Sequence, residues 1–421
     1  MSIEEYFSNK NRPLRILSHH NDTTRISDIR SSQPMAHLSG HGVVFNYIRH
    51  LPRSVRKEKN LPMLVQLVSQ YDLFILQRCH ELSVAQAARN ACDLAGVPLI
   101  LEVDDDYMNV PDHNEASKFL NRPSIQNNYG KIIEMADGVT VSTQEIADTL
   151  YQFNKNIKVL PNNMVVLPAG EFFEPRRDLT VEQFDVEGKV SIQAAHGHFS
   201  IPAFRETEKN GVKGHQRLIR VGYSATRYHR EDCKTINNAL QRILKKYHNV
   251  IFVTIGDEID KAQKEKGEIG CHEILTAGLP RCVQINTTPN FRLYYDHLRN
   301  IDIGIAPLLP DMFNMSKSPM KALEYASYGI PSVLPNFVTY TREFTHKENC
   351  LLYNNEDEFY TQLEKLILDH NLRQKLGEAA RDRVRDYRME YSPHNIVERL
   401  DFYNSFRNRF QLAQRGLRLN G

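Results

Sequence analysis

The stretch FNMSKSPMKALEYASYGIPSV, from Phe313 to Val333, contains a helix with a marked start and a marked end. Ser318 is a favoured N-cap residue, and Pro319 suits the first helical position, where its missing N–H costs nothing. Gly329 suits the position just after the last helical residue. The stretch therefore predicts a helix from about residue 319 to residue 328.

The start of this helix is suited to a phosphate group. It follows a predicted strand at Ile301–Ala306, and a helix N-terminus presents free amides and a positive dipole end. Lys317 adds a positive charge there. Glu324 lies about 9 Å along the axis from Ser318, a length that lets a carboxylate reach ribose hydroxyls while the helix start holds a diphosphate. The alternative is that Glu324 and Lys321 form an ordinary surface ion pair.

Short apolar runs alternate with helical patterns along most of the chain. Such alternation predicts parallel sheets with helices on both faces. In these sheets, ligands bind beyond the carboxyl ends of the strands. The predicted strands are Leu14–Leu17, Val43–Tyr47, Leu73–Gln77, Pro98–Val103, Gly138–Ser142, Lys158–Leu160, Leu218–Gly222, Val250–Ile255, Cys282–Ile285, Ile301–Ala306 and Pro331–Leu334.

The alternation is interrupted between about residues 166 and 217, where Pro, Gly, His and charged residues mix without helical periodicity. We therefore predict an N-terminal Rossmann-like domain at 1–165 and a C-terminal one at 218–394. Residues 166–217 would be a connection that carries an insertion, with a hairpin as one form of it. A helix at about 395–421 would return to the first domain. Two doubly wound parallel-sheet domains would then face a cleft, where a ligand is expected.

Composition excludes several classes of protein. The 421 residues include 53 basic and 51 acidic side chains, a formal net charge of +2, so no strong field for nucleic acid or a membrane follows. The six cysteines are scattered, which argues against a disulfide framework or a zinc site and indicates a reducing compartment. The N-terminus lacks the apolar segment of a signal peptide, and no apolar run approaches the roughly 20 residues that span a bilayer. We expect a cytoplasmic protein, with peripheral membrane contact left open.

A second polar loop follows the strand predicted at Leu218–Gly222. It carries Thr226, Arg227 and His229 before a helix that begins near Asp232. In Rossmann-like domains, the first strand-to-helix loop holds phosphate. This loop lacks G-x-G-x-x-G, so its hydroxyls, His229 and Arg227 would have to replace glycine amides. The alternative is an exposed polar turn.

Together, the two loops resemble the donor-binding domain of GT-B glycosyltransferases of the family-four type. The second half carries the resemblance in IRVGYSATRYHREDCKTI, VIFVTIGDE and LRNIDIGIAPLLPDMFNMSKSPMKALEYASYGIPSVLPN. The first half carries it in YDLFILQR (Tyr71–Arg78), GVPLILEVDDDY (Gly96–Tyr107) and ADGVTVSTQEIADTL (Ala136–Leu150). The resemblance implies a hexosyl- or pentosyl-type glycosyltransferase that moves a sugar from a nucleotide diphosphate sugar to an acceptor, with retention.

The resemblance also implies roles for single residues. Glu324 matches the second Glu of the E-x7-E motif, which holds the donor ribose. The first Glu would fall at Ser316, as in a subgroup that reads N-x-x-K-S, and this departure leaves the sugar open rather than the nucleotide site. Lys317, Ser318 and Arg227 are expected to bind the diphosphate. Cations and a helix start can offset the charge of the leaving group, so we expect no cofactor and no essential metal.

Three consecutive carboxylates, Asp104–Asp106, follow a predicted strand of the first half. Asp-x-Asp pairs bind Mn²⁺ or Mg²⁺ in the other large glycosyltransferase fold, since hard cations prefer carboxylates. Because the nucleotide features lie in the second half, we predict an acceptor-side role, with Asp105 as the catalytic carboxylate; caps of the following turn are the alternative. Arg30, at the start of a predicted helix, is the second catalytic candidate, ahead of His19 and His20.

Three other functions stay open. A sugar transferase that modifies nucleic acid bases could use the basic tail FRNRFQLAQRGLRL on phosphates. The replacement of the first motif Glu by Ser316 would fit a non-catalytic binding module of the same fold. An epimerase acting on nucleotide sugars would share the site and need no acceptor. The sequence determines neither the sugar, the base nor the acceptor.

Overall fold

The computed structural model describes residues 13–20, 28–49, 60–164, 204–209, 212–225, 227–256, 265, 267–285, 291–389 and 392–419. These residues fall into two compact units. The first lies within Met1–Val166, Met315–Ser318 and Tyr387–Gly421, and the second within Leu167–Asn314 and Pro319–Asp386. Each unit contains one six-stranded sheet.

The sheet of the first unit has the strand order β2-β1-β3-β4-β5-β6, and all neighbours are parallel. The strand order reverses beside β1, which is the switch point of a flavodoxin-like sheet. Strands β3 and β4 are buried along their whole length, as continuous apolar runs in a sheet covered on both faces should be. The strands are β1 (Leu14–His20), β2 (Val43–Arg49), β3 (Leu73–Gln77), β4 (Leu99–Val103), β5 (Gly138–Val141) and β6 (Ile157–Val159).

The sheet of the second unit has the order β11-β10-β9-β12-β13-β14 and is also parallel throughout. Numbered from its own first strand, this is the Rossmann order 3-2-1-4-5-6, with the switch point between β9 and β12. Between the two sheets in the chain, a two-stranded antiparallel hairpin forms from β7 and β8, the form named for the predicted insertion. The strands are β7 (Phe204–Lys209), β8 (Val212–Arg217), β9 (Ile219–Ala225), β10 (Val250–Gly256), β11 (Cys282–Ile285), β12 (Ile303–Ile305), β13 (Ser332–Pro335) and β14 (Leu351–Tyr353).

Helices connect the strands of both units. A π-helical turn at Asp28–Ser32 precedes the first helix, and a 3₁₀ turn at Arg227–His229 precedes the seventh. The helices are α1 (Gln33–Ser39), α2 (Leu61–Val68), α3 (Leu82–Ala95), α4 (Ser117–Leu120), α5 (Pro123–Glu134), α6 (Gln144–Leu150), α7 (Arg230–Lys234), α8 (Asn237–Lys246), α9 (Cys271–Thr276), α10 (Phe291–Leu298), α11 (Met312–Met315), α12 (Met320–Ser327), α13 (Val338–Thr341), α14 (Glu356–Leu368), α15 (His370–Tyr387) and α16 (Pro393–Leu419). Within the described ranges, each helix is too short or too polar to cross a bilayer.

Both faces of the first sheet carry an apolar core. On one face, Ile75 and Ile100 belong to a cluster with Leu400 of α16, and on the other, Leu76 belongs to a cluster with Ala88 of α3. Alternate residues of a strand point to opposite faces, so both cores need the strands to be apolar throughout. The two parallel sheets with helices on their faces confirm the predicted α/β class.

Helix α12 packs closely on the second sheet. Gly304 of β12 makes this approach possible, because a Cβ there would overlap the ring of Tyr325. Gly329 follows the helix with a φ of +65°, the left-handed conformation that glycine adopts without strain. A Cβ on Gly377 of α15 would overlap the carbonyl oxygen of Gly329. Two close approaches and one left-handed glycine therefore fix the position of α12.

Candidate functional site

The second unit gathers hydroxyls and a carboxylate at its switch point. Glu324 of α12 is only 2% exposed, and its Oε2 accepts a hydrogen bond from the Tyr294 hydroxyl at 2.6 Å. The Tyr294 oxygen is also 2.9 Å from Ser224 Oγ, at the end of β9. Burying a carboxylate is unfavourable unless donors meet it, and Tyr294 is such a donor. The alternative of an exposed surface ion pair is therefore wrong for Glu324.

A second tyrosine ties α12 to the strands on either side of the switch point. The backbone N–H of Ser224 donates to the Tyr325 oxygen at 3.1 Å, and the Tyr325 hydroxyl donates to the carbonyl of Ile305 at 3.1 Å. Burial raises the pKa of Tyr325 above its ordinary value, so the hydroxyl stays a donor. The end of β9, the end of β12 and the helix are thus held in one arrangement.

His229 takes part in a chain of polar and charged groups at this helix. Its Nδ1 is 2.7 Å from Asp232 Oδ2, and its Nε2 is 2.9 Å from the Lys321 ammonium. Since an ammonium can only donate, Nε2 accepts, and Nδ1 carries the proton that is donated to Asp232. The other Asp232 oxygen accepts from the backbone N–H of Leu309 at 2.7 Å and from Asn314 Nδ2 at 3.1 Å. Asp232 therefore fixes both the imidazole and the loop that follows β12.

The structure describes some of the residues predicted at the diphosphate and leaves others outside the described ranges. Helix α12 begins at Met320 with Pro319 as N-cap and without a side-chain capping bond, so the predicted cap by Ser318 is wrong. Ser318 Oγ is instead buried, with no hydrogen-bond partner among the described residues. Thr226 lies outside the described residues, and so does the side chain of Arg227. The diphosphate role of these residues stays a prediction.

Asp105 lies just beyond the carboxyl end of β4 and is partly buried. Burial raises its pKa to about 6, the neighbouring Asp104 adds to the rise, and Lys317 and Arg78 oppose it. Lys317 belongs to the segment Met315–Ser318, which is part of the same compact unit. The structure therefore brings together a predicted catalytic carboxylate and a predicted diphosphate cation that lie far apart in sequence.

The other two carboxylates of this run are held by local partners. Asp104 Oδ1 accepts from the Tyr107 hydroxyl at 2.7 Å and lies 3.3 Å from Arg78 Nε. Asp106 Oδ2 accepts from Asn109 Nδ2 at 2.8 Å, as a residue that caps a turn would. Across the described ranges, no group of three or more His, Cys, Asp or Glu side chains is placed to hold a metal ion.

Arg78, directly after β3, has a strained backbone. Its φ is +49°, which is uncommon for a residue with a side chain and is often found at functional sites. Its Nε donates to the Tyr107 oxygen at 2.9 Å. The ring of His80 packs edge-on against Tyr107 with centroids 4.6 Å apart, and burial, followed by Arg78, lowers the pKa of His80 to about 4. A neutral imidazole, an arginine and a tyrosine thus surround Asp104.

Arg30 is 2% exposed and forms a buried ion pair. Its Nε donates to Glu102 Oε1 at 2.6 Å, its Nη1 donates to Asn162 Oδ1 at 2.9 Å, and the same Nη1 contacts the carbonyl of Leu160. Through these contacts, Arg30 joins β4 to the segment after β6. The prediction that it is catalytic has no described contact in its favour.

The two histidines at the end of β1 are buried. His19 and His20 are each 3% exposed. His20 Nε2 is 2.8 Å from Ser31 Oγ, and its ring stacks on Tyr47 with centroids 5.2 Å apart. These contacts are those of histidines in a packed interior.

Four residues of the second unit's candidate site and one of the first were not predicted. Tyr294, Asp232 and Asn314 were passed over, and Lys321 was interpreted only as a surface partner of Glu324. Arg78 ends the quoted stretch Tyr71–Arg78, and no role was predicted for it. A signal existed for Arg78, since it directly follows an apolar strand of a parallel sheet, where ligand-binding residues concentrate. Tyr294 gave no such signal, because it lies inside an ordinary amphipathic helix.

Comparisons with known proteins bear on the fold and on the segment that holds Glu324. A protein family described as glycosyl transferase-like matches residues 292–401, a segment that includes Tyr294, Lys321 and Glu324. No curated protein sequence matches the chain.

Solved structures match over nearly the whole chain. HepE from Anabaena, in complex with UDP and glucose, has a TM-score of 0.58 at 14% identity, with 93% of this chain and 99% of HepE covered. A glycosyltransferase from Rickettsia africae has a TM-score of 0.59 at 12% identity, with coverages of 94% and 99%. Sucrose-phosphate synthase from Thermosynechococcus elongatus has a TM-score of 0.58 at 12% identity, with coverages of 97% and 100%. The chain thus has the α/β fold of these proteins, and its residues 292–401 match a glycosyl transferase-like domain.

Proposed function

We propose that this protein is a GT-B glycosyltransferase that moves a sugar from a nucleotide diphosphate sugar to an acceptor, with retention at the anomeric carbon. The observation that carries the proposal is the placement of Glu324. It is a buried carboxylate held by a hydroxyl, at the switch point of a Rossmann-ordered sheet, inside the segment that matches a glycosyl transferase-like domain. Because HepE was solved with UDP-glucose, a UDP-sugar is the first donor to test.

The proposed donor site uses a carboxylate to bind the ribose and cations to bind the diphosphate. Glu324 accepts hydrogen bonds from the ribose hydroxyls, which are strong because the acceptor is charged. The diphosphate is bound by the start of α12 and by side chains that donate or carry positive charge. Those side chains are Lys317, Ser318, Thr226 and Arg227. His229 is proposed to act through Lys321, whose ammonium donates to the His229 ring at 2.9 Å.

Charge compensation is the proposed source of rate acceleration. As the bond from the sugar to the diphosphate breaks, negative charge grows on the leaving oxygen. Lysine and arginine side chains and a helix N-terminus are fixed donors that can stabilise that charge without reorganising. We therefore propose that transfer needs neither a metal ion nor an organic cofactor.

The acceptor is proposed to bind the first unit near Asp105. With a pKa of about 6, this carboxyl group is ionised at neutral pH yet still basic enough to take a proton from an acceptor hydroxyl. Arg78, strained at the end of β3, is the neighbouring cation. Arg30 is assigned to supporting β4 through Glu102 rather than to touching a substrate, because both side chains are buried.

The proposed compartment is the cytoplasm. All six cysteines are free thiols, as expected for a reducing environment. Peripheral contact of the basic C-terminal tail with a membrane or a nucleic acid stays a prediction, as do a role in sugar transfer to nucleic acid bases and a non-catalytic binding function.

A thermal-shift screen against UDP, GDP, ADP and their glucose conjugates tests the donor site. A ligand at 100 times its Kd stabilises the folded state by about 2.7 kcal/mol, so the matching nucleotide should raise the melting temperature by several degrees. Glu324→Ala should abolish that rise, whereas Glu378→Ala, which changes an exposed residue of α15, should leave it intact.

Transfer itself is then measured as nucleotide release from the stabilising sugar donor in the presence of candidate acceptors. Release that depends on an acceptor supports a transferase, and loss of release in Glu324→Ala supports the site. If no nucleotide or nucleotide sugar stabilises the folded protein, the proposed function is wrong.

A further inference from the structure

One buried residue of the second unit lies against the proposed ribose-binding carboxylate and has no role in the donor site described so far. Tyr294 comes from α10, is 7% exposed, and directs its hydroxyl at Glu324 Oε2 from 2.6 Å. Its ring contacts that of Tyr295 with centroids 5.3 Å apart. The hydroxyl is thus carried by a packed ring rather than by a mobile side chain.

The tyrosine is itself held from the strand side of the site. Its oxygen is 2.9 Å from Ser224 Oγ, and the backbone N–H of Ser224 donates to Tyr325 at 3.1 Å. A phenol has one proton to give. When Tyr294 donates that proton to Glu324, the Ser224 hydroxyl donates to Tyr294. The result is a directed chain of hydrogen bonds from the end of β9 to the carboxylate of α12.

Such a chain has a defined effect on a glutamate. A free glutamate side chain is among those that lose the most rotamer freedom when fixed, so a ligand that had to order it would bind more weakly. A carboxylate can accept about four hydrogen bonds, so the Tyr294 hydroxyl can remain in place while the ribose 2′- and 3′-hydroxyls bind. Fixing the side chain in advance therefore favours ligands that carry both hydroxyls.

We propose that Tyr294 is a positioning residue of the donor site, which orients Glu324 through its hydroxyl and thereby sets the preference for a ribose over a deoxyribose nucleotide. This proposal rests on the proposed function, because it assigns a partner to the carboxylate that binds the ribose. Tyr294 lies on α10, outside the stretch Phe313–Val333 in which the sequence predicted the ribose-binding carboxylate.

The test measures selectivity rather than affinity alone. Calorimetric titrations compare the nucleoside diphosphate that gives the largest thermal shift, among UDP, GDP and ADP, with its 2′,3′-dideoxy analogue. Hydrogen bonds to charged groups are strong enough for the wild type to prefer the ribonucleotide by roughly tenfold or more. Tyr294→Phe keeps the buried ring and removes only the hydroxyl, so it should cut that preference several-fold by weakening the ribonucleotide alone.

Three further variants complete the comparison. Glu324→Gln should remove most of the preference, and adding Tyr294→Phe to it should change the preference little, because the two residues act through one contact. Tyr295→Phe, next along α10, is the matched control. It removes a hydroxyl from a ring that packs near Tyr328 and should leave the preference unchanged.

The outcomes separate this inference from the function on which it rests. A folded wild-type protein that binds none of the three nucleotides overturns both. Binding without preference for the ribonucleotide overturns the ribose role of Glu324, and the inference with it. A wild-type preference that Tyr294→Phe leaves intact, or a variant that weakens both nucleotides equally, overturns the inference alone.

Discussion

Two glutamates with the same exposure, one in each unit, are stabilised in different ways. Glu102 and Glu324 are each 2% exposed. Glu102 meets the Arg30 guanidinium at 2.6 Å on one oxygen and the Thr140 hydroxyl at 2.5 Å on the other. Glu324 meets the neutral hydroxyl of Tyr294. Burial therefore does not by itself distinguish the two carboxylates, whereas the chemistry of the described partner does.

The partner decides because it determines where the negative charge is balanced. Burial raises the pKa of Glu102, and the adjacent Arg30 is the first influence that opposes the rise. That pair balances its charge within the unit, between β4 and the turn that precedes α1. A tyrosine, in contrast, holds a carboxylate in place and brings no charge of its own. The ribose hydroxyls of the proposed donor would be further donors to this carboxylate.

The same substitution at the two glutamates should therefore have different effects on stability, and the largest is expected at Glu102. Glu102→Gln leaves the Arg30 guanidinium buried without a counter-charge, which costs about 3–5 kcal/mol. Urea unfolding measures this loss, followed by circular dichroism because the chain contains no tryptophan.

Removing both charges provides the control for this prediction. The double variant Glu102→Gln with Arg30→Met should recover a large part of the lost stability, since no unpaired charge is left inside the unit. A loss below about 1 kcal/mol in Glu102→Gln, in the range of an exposed ion pair, would contradict the view that this pair is structural.

An intermediate effect is expected at Asp105, whose carboxyl group is only partly buried. Its pKa of about 6 exceeds its ordinary value of 3.8, so the folded state binds more protons than the unfolded state between these values. Stability should then fall as pH rises from about 4 to about 6. Asp105→Asn removes this dependence and should be more stable relative to wild type at pH 7 than at pH 4, by about 2–3 kcal/mol.

Urea unfolding of both proteins at intervals from pH 4 to pH 7 measures this difference. The exposed Asp112→Asn serves as the control and should run parallel to wild type. A difference between wild type and Asp105→Asn that stays constant over this range would mean that Asp105 is as well solvated as Asp112.

The smallest effect on stability is expected at Glu324. Glu324→Gln keeps an oxygen that accepts from Tyr294, so the variant should lose no more than about 1 kcal/mol, the net worth of an ordinary hydrogen bond. Its effect should appear instead in the binding of the nucleotide. Urea unfolding without ligand measures the stability change. A loss as large as that of Glu102→Gln would remove the distinction between the two glutamates.

The chain order of the strands could be predicted because each strand is a local pattern. Every strand predicted from the sequence is present within a few residues, from β1 to β13. Strand β14 was missed, since the three residues Leu351–Tyr353 are too few to show a period. The helix at Pro319 was predicted to within two residues at each end. Its predicted cap was wrong, because a residue's statistical preference for the N-cap position does not determine where the surrounding structure places its side chain.

The candidate site could be predicted only where one stretch of chain carries it. Glu324 and the helix that holds it were found because spacing along a helix is set by its geometry. The partner Tyr294 was not found, since it lies 30 residues away on another helix. Arg30 was expected near a substrate because of its place after a strand, and its buried partner Glu102, 72 residues along the chain, was not foreseeable from that place.

The sequence by itself determined the alternation of strands and helices, the parallel sheets that follow from it, and the helix that carries Glu324. These are consequences of backbone geometry and of apolar periodicity, which act over a few residues. The tertiary structure alone decided which carboxylate faces an arginine and which faces a tyrosine. That choice depends on the order of strands in each sheet, because strand order brings residues that are distant in sequence to one edge. At that edge, the burial and the charge of the neighbouring side chains determine which partner each carboxylate meets.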